Sequence, residues 1–317
     1  MSLNANAKKR VALVGAPLAL GQSLAGVGLA PQVLRQAGLG QVITELGYEL
    51  MDKGDLVFRV EEVTPISPVT GAGAAVTLSR VKHAQAVGQA CRELAQAVEQ
   101  LATGDNFVLT LGGDHSVALG SIAGLWRARP ETALVWVDAH GDFNTPETSL
   151  SGNLHGMPLA ALLGQLTPGL PGFEWLQGVS VSPERVALVG VRSLDEAERQ
   201  LLKATGVQVY TMSAIDRYGI GPIMERAMAA VNPTGKLGYH VSFDIDAIDP
   251  QEAPGTGTTA RGGLTYREGH TIVEMLAATD KLGSMDLVEI NPELDRNDLT
   301  ITLGIELIAS ALGKAIF

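Results

Sequence analysis

The sequence is poor in cysteine and in aromatic rings, has no long apolar run, and has no cluster of basic residues long enough to grip a polyanion. Cys91 is the one cysteine among 317 residues. That excludes an intrachain disulfide and a thiolate zinc site. No apolar stretch reaches the roughly 18 residues that a membrane-spanning helix needs. Lys and Arg number 23 against 34 Asp and Glu, a formal net charge of −11. An acidic chain of this kind is a poor partner for nucleic acid, whose phosphates must be neutralised by clustered cations. The short basic stretch Lys8-Lys9-Arg10, followed by apolar Val11–Leu20, has the outline of a secretory leader. We read it as the approach to a first β-strand entering a glycine-rich loop, a strand that the remaining pattern needs. The expected location is the cytoplasm.

What is present is an ordinary globular composition, 46% hydrophobic and 18% charged. Short apolar runs at Val11–Gly15, Phe107–Leu111, Ala133–Val137, Val186–Val191, Val207–Tyr210, Tyr239–Ile245 and Leu287–Ile290 alternate with longer stretches of helical period. A weaker strand candidate is Leu56–Val60. The runs are near-continuously apolar rather than alternating, as in parallel sheets covered on both faces. The clearest helix is Thr77–Leu101, where Val87, Cys91, Leu94, Val98 and Leu101 form one stripe. Cys91 is therefore expected in the core. Further helices are expected at Ser121–Ala128, Asp195–Ala204, Ile223–Val231, Tyr266–Leu282 and Leu299–Leu312. With no repeat or linker, residues 1–317 read as a single domain. The expected fold is a doubly wound α/β sandwich around a mostly parallel sheet of about eight strands.

Ligands of such sheets sit at the carboxyl ends of the strands. There the sequence places Gly112-Gly113-Asp114-His115-Ser116, then Asp138-Ala139-His140-Gly141-Asp142, then Asp244-Ile245-Asp246 with Asp249 beyond. Side chains at alternate positions of an extended chain point the same way. Asp138, His140 and Asp142 can thus face one point, as can Asp244 and Asp246. Taken singly, the first motif could be a turn with Asp or Ser capping a helix, and the second a solvated loop. Taken together, four carboxylates converging on an apolar sheet would cost several kcal/mol each if unpaired. No Lys or Arg lies within the motifs. Two divalent cations would balance the four charges. Ligation by N and O alone favours manganese, with cobalt, iron or zinc as competitors.

These three motifs, in the forms G-G-D-H-S, D-A-H-G-D-F-N and S-F-D-I-D-A-I-D-P, resemble the signatures of the ureohydrolase family. The resemblance runs from Gly15-Ala16-Pro17 and Gly21-Gln22 to Glu289-Ile290-Asn291-Pro292. It implies two Mn2+ per subunit, held by His115, Asp138, His140, Asp142, Asp244 and Asp246. His115 would hold one ion and His140 the other, with Asp138 and Asp244 shared. It also implies a homo-oligomer, trimer or hexamer. The residue before Pro31 is Ala30 where the family has Gly, and the chain ends at Phe317 without the tail that some relatives use to lace trimers.

Asn144, Ser151 and Asn153 are uncharged hydrogen-bonding groups on one loop and suit a carboxylate that stays partly solvated. This loop, and Gly190–Glu198, resemble the arginase branch, in which Asp195 with Glu198 would face the substrate's α-amino group. The bland reading of these residues is a turn and an acidic helix start. Glu289, alone in an apolar run, needs a partner: a substrate guanidinium or a structural arginine. His155 is the proton-transfer candidate by its titration range. Thr258 would hydrogen-bond a hydroxide between the metals. His240 lies too far along its strand from Asp244 to join the ligands. Neither Gly26–Gly28 nor Gly71–Gly73 makes a nucleotide fingerprint. The implied reaction is hydrolysis of L-arginine to L-ornithine and urea by a metal-bridging hydroxide. Its rivals are an agmatinase-like or other guanidino hydrolase, a single-zinc deacetylase of similar fold, and a metal-binding scaffold without turnover.

Overall fold

A computed structural model describes residues 9–58, 80–166 and 169–314. Lys8, Val60, Gly71–Gly73, Thr77 and Phe317 lie outside them. Eight strands form one all-parallel sheet: β1 Arg10–Ala16, β2 Glu49–Asp55, β3 Phe107–Gly112, β4 Thr132–Val137, β5 Val186–Val191, β6 Gln208–Thr211, β7 Gly238–Asp244 and β8 Leu282–Val288. Their spatial order is β2-β1-β3-β8-β7-β4-β5-β6, with every pairing parallel. The helices are α1 Ala30–Gln36, α2 Leu39–Glu45, α3 Ala84–Leu101, α4 Ala118–Ala128, α5 Pro158–Leu162, α6 Glu196–Thr205, α7 Met212–Tyr218, α8 Ile220–Val231, α9 Tyr266–Ala277 and α10 Leu299–Ala311.

Apolar side chains leave the sheet on both faces. Leu109, Val135 and Phe243 pack with α1, α2 and α7 to α10, whereas Val108, Leu134 and Trp136 pack with α3 to α6. This is the expected doubly wound sandwich. β3, β4 and β5 are buried throughout, which is why they read as unbroken apolar runs. The stripe of α3 is buried as expected, and the Cys91 thiol donates to the Ser116 carbonyl at 3.2 Å. Burial pushes that thiol well above its usual range, so it is an inert core group.

Three elements depart from the expectation. The second strand is Glu49–Asp55, not a segment beginning at Leu56. It lies at the sheet edge and is largely polar, since an edge strand needs no buried face and charges keep it from pairing further. Arg35 of α1 binds its Asp52 and Asp55. The last strand starts at Leu282, so the preceding helix stops at Ala277. Its early residues Ser284 and Asp286 are polar but buried, satisfied by His240 and by Ser121 of α4. The stretch carrying Asp244 ends as strand there, and Ile245–Ala247 forms a 3-10 turn. Arg10–Ala16 is paired on both sides within the sheet, in keeping with its reading as strand.

Candidate metal centre

β3, β8, β7 and β4 are consecutive in the middle of the sheet and end on one rim. After β3, Asp114 caps the short turn His115–Val117, accepting from Ser116 N at 3.1 Å and from the Gly21 N–H at 2.8 Å. The capping reading therefore holds for Asp114. His115 is turned inward, stacked on Trp136 with ring centroids 4.2 Å apart. Its Nε2 lies 3.0 Å from Ser242 Oγ. When that nitrogen donates to the hydroxyl, Nδ1 presents a lone pair. Nδ1 lies 3.3, 3.0 and 3.1 Å from oxygens of Asp138, Asp142 and Asp244.

After β4, Asp138 is fully buried. Its Oδ2 accepts from Trp136 Nε1 at 2.9 Å and its Oδ1 from the His140 N–H at 2.7 Å. His140 Nδ1 is 3.5 Å from Asp138 and 3.0 Å from Asp246. After β7, Asp244 accepts from Asp246 N at 2.8 Å, and Thr258 donates its hydroxyl to Asp246 at 2.8 Å. The convergence does not come from extended chain. Asp142 sits in the left-handed region at φ 48°, and Asp246 is inside a 3-10 turn. Loop geometry reaches the arrangement that strand alternation suggested.

Two donor groups result: His115, Asp138 and Asp142, and Asp138, His140 and Asp246. They share Asp138, and Asp244 adjoins the first. His115 Nδ1 and Asp142 Oδ2 are buried and neither makes a hydrogen bond, although they lie 3.0 Å apart. Buried polar atoms are rarely left so, and a cation seated between them resolves both. Without one, protons take its place. Burial disfavours charge on His115, but Asp138, Asp142 and Asp244 outweigh it and hold the imidazole well above its usual range. His140 is pushed up to about 12, its burial outweighed by Asp246 and Asp138. Burial, then the Asp138 charge, raises Asp142 to about 7. The residues fit a pair of divalent ions.

A cavity of about 130 Å³ opens beside this centre, with His140, Asp142, Asn144, His155, Asp195 and Glu198 on its wall. Asn144 donates to Asp195 at 3.3 Å. Asp195 and Glu198 form the capping box of α6, so the acidic-helix-start reading also describes them. Glu198 accepts from Phe143 N at 2.9 Å, and burial pushes it up to about 7. Ser151 and Asn153 stand off this wall, on the adjoining loop, where Ser151 Oγ accepts from Asn153 N at 3.2 Å. Glu289 lies just past β8 rather than in a strand, at φ 62°, a strained position for a non-glycine residue. Among the described residues it meets no structural arginine. It accepts from Gln22 Nε2 at 2.6 Å and His115 N at 2.9 Å, and His155 Nδ1 is 3.1 Å away. That contact outweighs burial and raises His155 to about 9.

Sequence reasoning missed Gln22, Trp136, Ser242 and Arg192. Ser242 shares strand parity with Asp244, a signal that was available. Arg192 donates to the carbonyls of Asp246, Ala247 and Ala260 at 2.8, 2.9 and 2.7 Å, clamping the loop that carries Asp246. His240 stays away from the centre, as expected, with Nε2 3.2 Å from Asp286.

Two His–Asp–Asp groups around a shared carboxylate, at the carboxyl ends of a parallel sheet, define a binuclear metal centre of the kind that hydrolases use. The arginase family model matches residues 9–313. The arginase of Bacillus caldovelox is 41% identical over 309 residues, covering 96% of this chain and 99% of its own. The hepatic arginase of Aquarana catesbeiana is 42% identical over 315 residues, covering 97% and 94%. The native structure of the Bacillus caldovelox enzyme superposes with a TM-score of 0.88 at 39% identity, covering 98% of this chain and all of that one. The chain belongs to the arginase family. A formimidoylglutamase of Bacillus subtilis, at 24% identity and a TM-score of 0.74, shares the fold alone.

Proposed function

We propose that this chain is a manganese-dependent arginase, hydrolysing L-arginine to L-ornithine and urea. One observation carries the reading: two donor groups share Asp138 beside a cavity walled by Asn144, Asp195 and Glu198. His115, Asp138, Asp142 and Asp244 would hold one ion, and Asp138, His140, Asp244 and Asp246 the other. All-N/O ligation suits two Mn2+ per subunit. When bound, such a pair supplies a water ionised near neutral pH and a Lewis acid beside the guanidino carbon.

The remaining steps belong to side chains. Glu289 is buried next to His155 and holds the guanidinium, exchanging the neutral amide of Gln22 for a two-point charged contact. Asp195 and Glu198 face the α-amino group. Asn144, Ser151 and Asn153 face the α-carboxylate, the latter two from the loop beside the cavity wall. Thr258, whose proton goes to Asp246, turns its oxygen toward the water. Water gives up one proton as its oxygen adds to the guanidino carbon; its second proton passes to the side-chain nitrogen as the bond from that carbon breaks and urea departs, and the first returns to His155 after it has protonated the amine. His155, held protonated by Glu289, delivers a proton to the leaving amine of ornithine.

We further propose one domain acting as a homo-oligomer, trimer or hexamer, in the cytoplasm. No helix of the described residues is long and apolar enough to cross a membrane. The test is urea release by manganese-loaded protein from L-arginine, with agmatine and 4-guanidinobutyrate in parallel. Arginine is expected to turn over. Turnover of agmatine without arginine would move the chain to another guanidino hydrolase.

A further inference from the structure

Glu289 is 1% exposed and stands behind the wall of the cavity, of which its partner His155 is part. Three hydrogen-bond partners cover it. Oε1 faces His115 N at 2.9 Å and His155 Nδ1 at 3.1 Å, and Oε2 accepts from Gln22 Nε2 at 2.6 Å. A guanidinium makes a two-point contact with this carboxylate only when a cover moves aside. The His115 N–H is main chain at the start of a 3-10 turn, so it stays. Gln22 is the cover with somewhere to go.

The backbone beside Gln22 is pinned on both sides. Gly21 N donates to Asp114 Oδ2 at 2.8 Å, and the Gly21 carbonyl accepts from His155 N at 3.1 Å. Exchange at Glu289 is therefore a side-chain rotation, not a loop movement. The amide is held at one end. Nε2 binds Glu289, whereas among the described residues Oε1 accepts no hydrogen bond. Gly257 lies against that oxygen, where a Cβ would come within 3.1 Å of it. On its other side Gln22 lines an open groove of about 540 Å³, with Ser23, Leu24 and Glu293. The amide has that space to turn into. The exchange also selects by charge. A neutral N–H from a ligand only replaces the neutral N–H of Gln22. A guanidinium brings its charge and a second parallel N–H···O bond.

We propose that Gln22 is a specificity-determining residue, a neutral placeholder on Glu289 that yields to a guanidinium and reclaims the carboxylate once neutral urea has formed; the inference rests on the arginase reading. Gln22→Met keeps the length and removes the donor. Gln22→Asn keeps an amide that is one carbon too short to reach Glu289. Both variants vacate the place on Oε2, so a ligand no longer competes for it. On manganese-loaded protein, both are expected to lower the KM for L-arginine about fivefold, part of the worth of a hydrogen bond to a charged group, with water taking up the rest. Calorimetry should show L-citrulline, whose ureido group is the neutral counterpart of the guanidinium, tightening by a similar factor. L-norvaline, which has the amino-acid end and nothing that reaches Glu289, should bind unchanged. A role in merely propping Glu289 would move the KM the other way. A KM for arginine that rises or stays the same, or equal tightening of norvaline, overturns the proposal. The two variants carry the test independently, so misfolding of one leaves the other to decide. A wild-type protein that releases no urea from arginine overturns the arginase reading; L-arginine is then not consumed, and calorimetry with it still decides the role of Gln22.

Discussion

Asp138 is the residue on which the centre turns. It is fully buried, its two oxygens face different imidazoles, and it belongs to both donor groups. Asp138→Asn preserves size and removes the shared charge. It is expected to cut both manganese content and urea release, by at least about a hundredfold in activity; full activity in that variant would sink the ligand assignment. His155→Asn tests a separate role. Metal content should hold while kcat falls roughly 10²- to 10⁴-fold, the usual worth of a positioned acid. Glu289 keeps its contacts with Gln22 Nε2 and His115 N, so KM should move little. At this scale the sequence was informative about chemistry and silent about partners. His115, Asp138, His140, Asp142, Asp244 and Asp246 stand out because acids and histidines interrupt apolar runs. Gln22 and Glu289 are 267 positions apart, and nothing local marks either as the other's partner.

Among the elements, the loop from Ile245 to Ala260 shows how a polar centre is kept rigid at the rim of an apolar sheet. Arg192, just past β5, donates to carbonyls at Asp246, Ala247 and Ala260, sharing that of Ala247 with Leu264 N–H. Arg192→Met is expected to lower stability by about 2–3 kcal/mol in urea denaturation. Arg192→Lys should recover little of it, because an ammonium cannot fork across several carbonyls. The strands that carry the site were legible because burial on both faces makes them continuously apolar. β2 was not, because an edge strand has no such constraint, and the start of β8 was hidden by Ser284 and Asp286, whose buried partners come from β7 and α4. The alternation argument placed Asp142 and Asp246 near the right point for the wrong local reason, since Asp142 is left-handed in irregular chain and Asp246 lies in a 3-10 turn.

Across the whole molecule, the adjacency of β3, β8, β7 and β4 gathers residues from four distant stretches of chain. A parallel topology read from strand–helix alternation does not reveal that order. The same gathering makes the metal-free protein sensitive to pH. Burial and like charges raise Asp114 to about 6, and Asp142 and Glu198 to about 7, while Glu289 raises His155 to about 9. Each of these groups binds protons more tightly folded than unfolded, so stability falls as pH rises. The carboxylates contribute their loss between about pH 4 and 7, and His155 between about pH 6.5 and 9. The melting temperature of metal-free protein should therefore drop from pH 5 towards pH 9, whereas saturating manganese should raise it and flatten the slope. A metal-free protein that grows more stable over that range would contradict the proton-filled centre.

The most direct measurement is a manganese titration of metal-free protein, following urea release from L-arginine and proton release together. Activity should rise to saturation at two ions per subunit, with protons expelled as His115 and His140 are freed to bind. Saturation at one ion, or urea release that is full before any metal is added, would contradict a binuclear arginase centre built on Asp138.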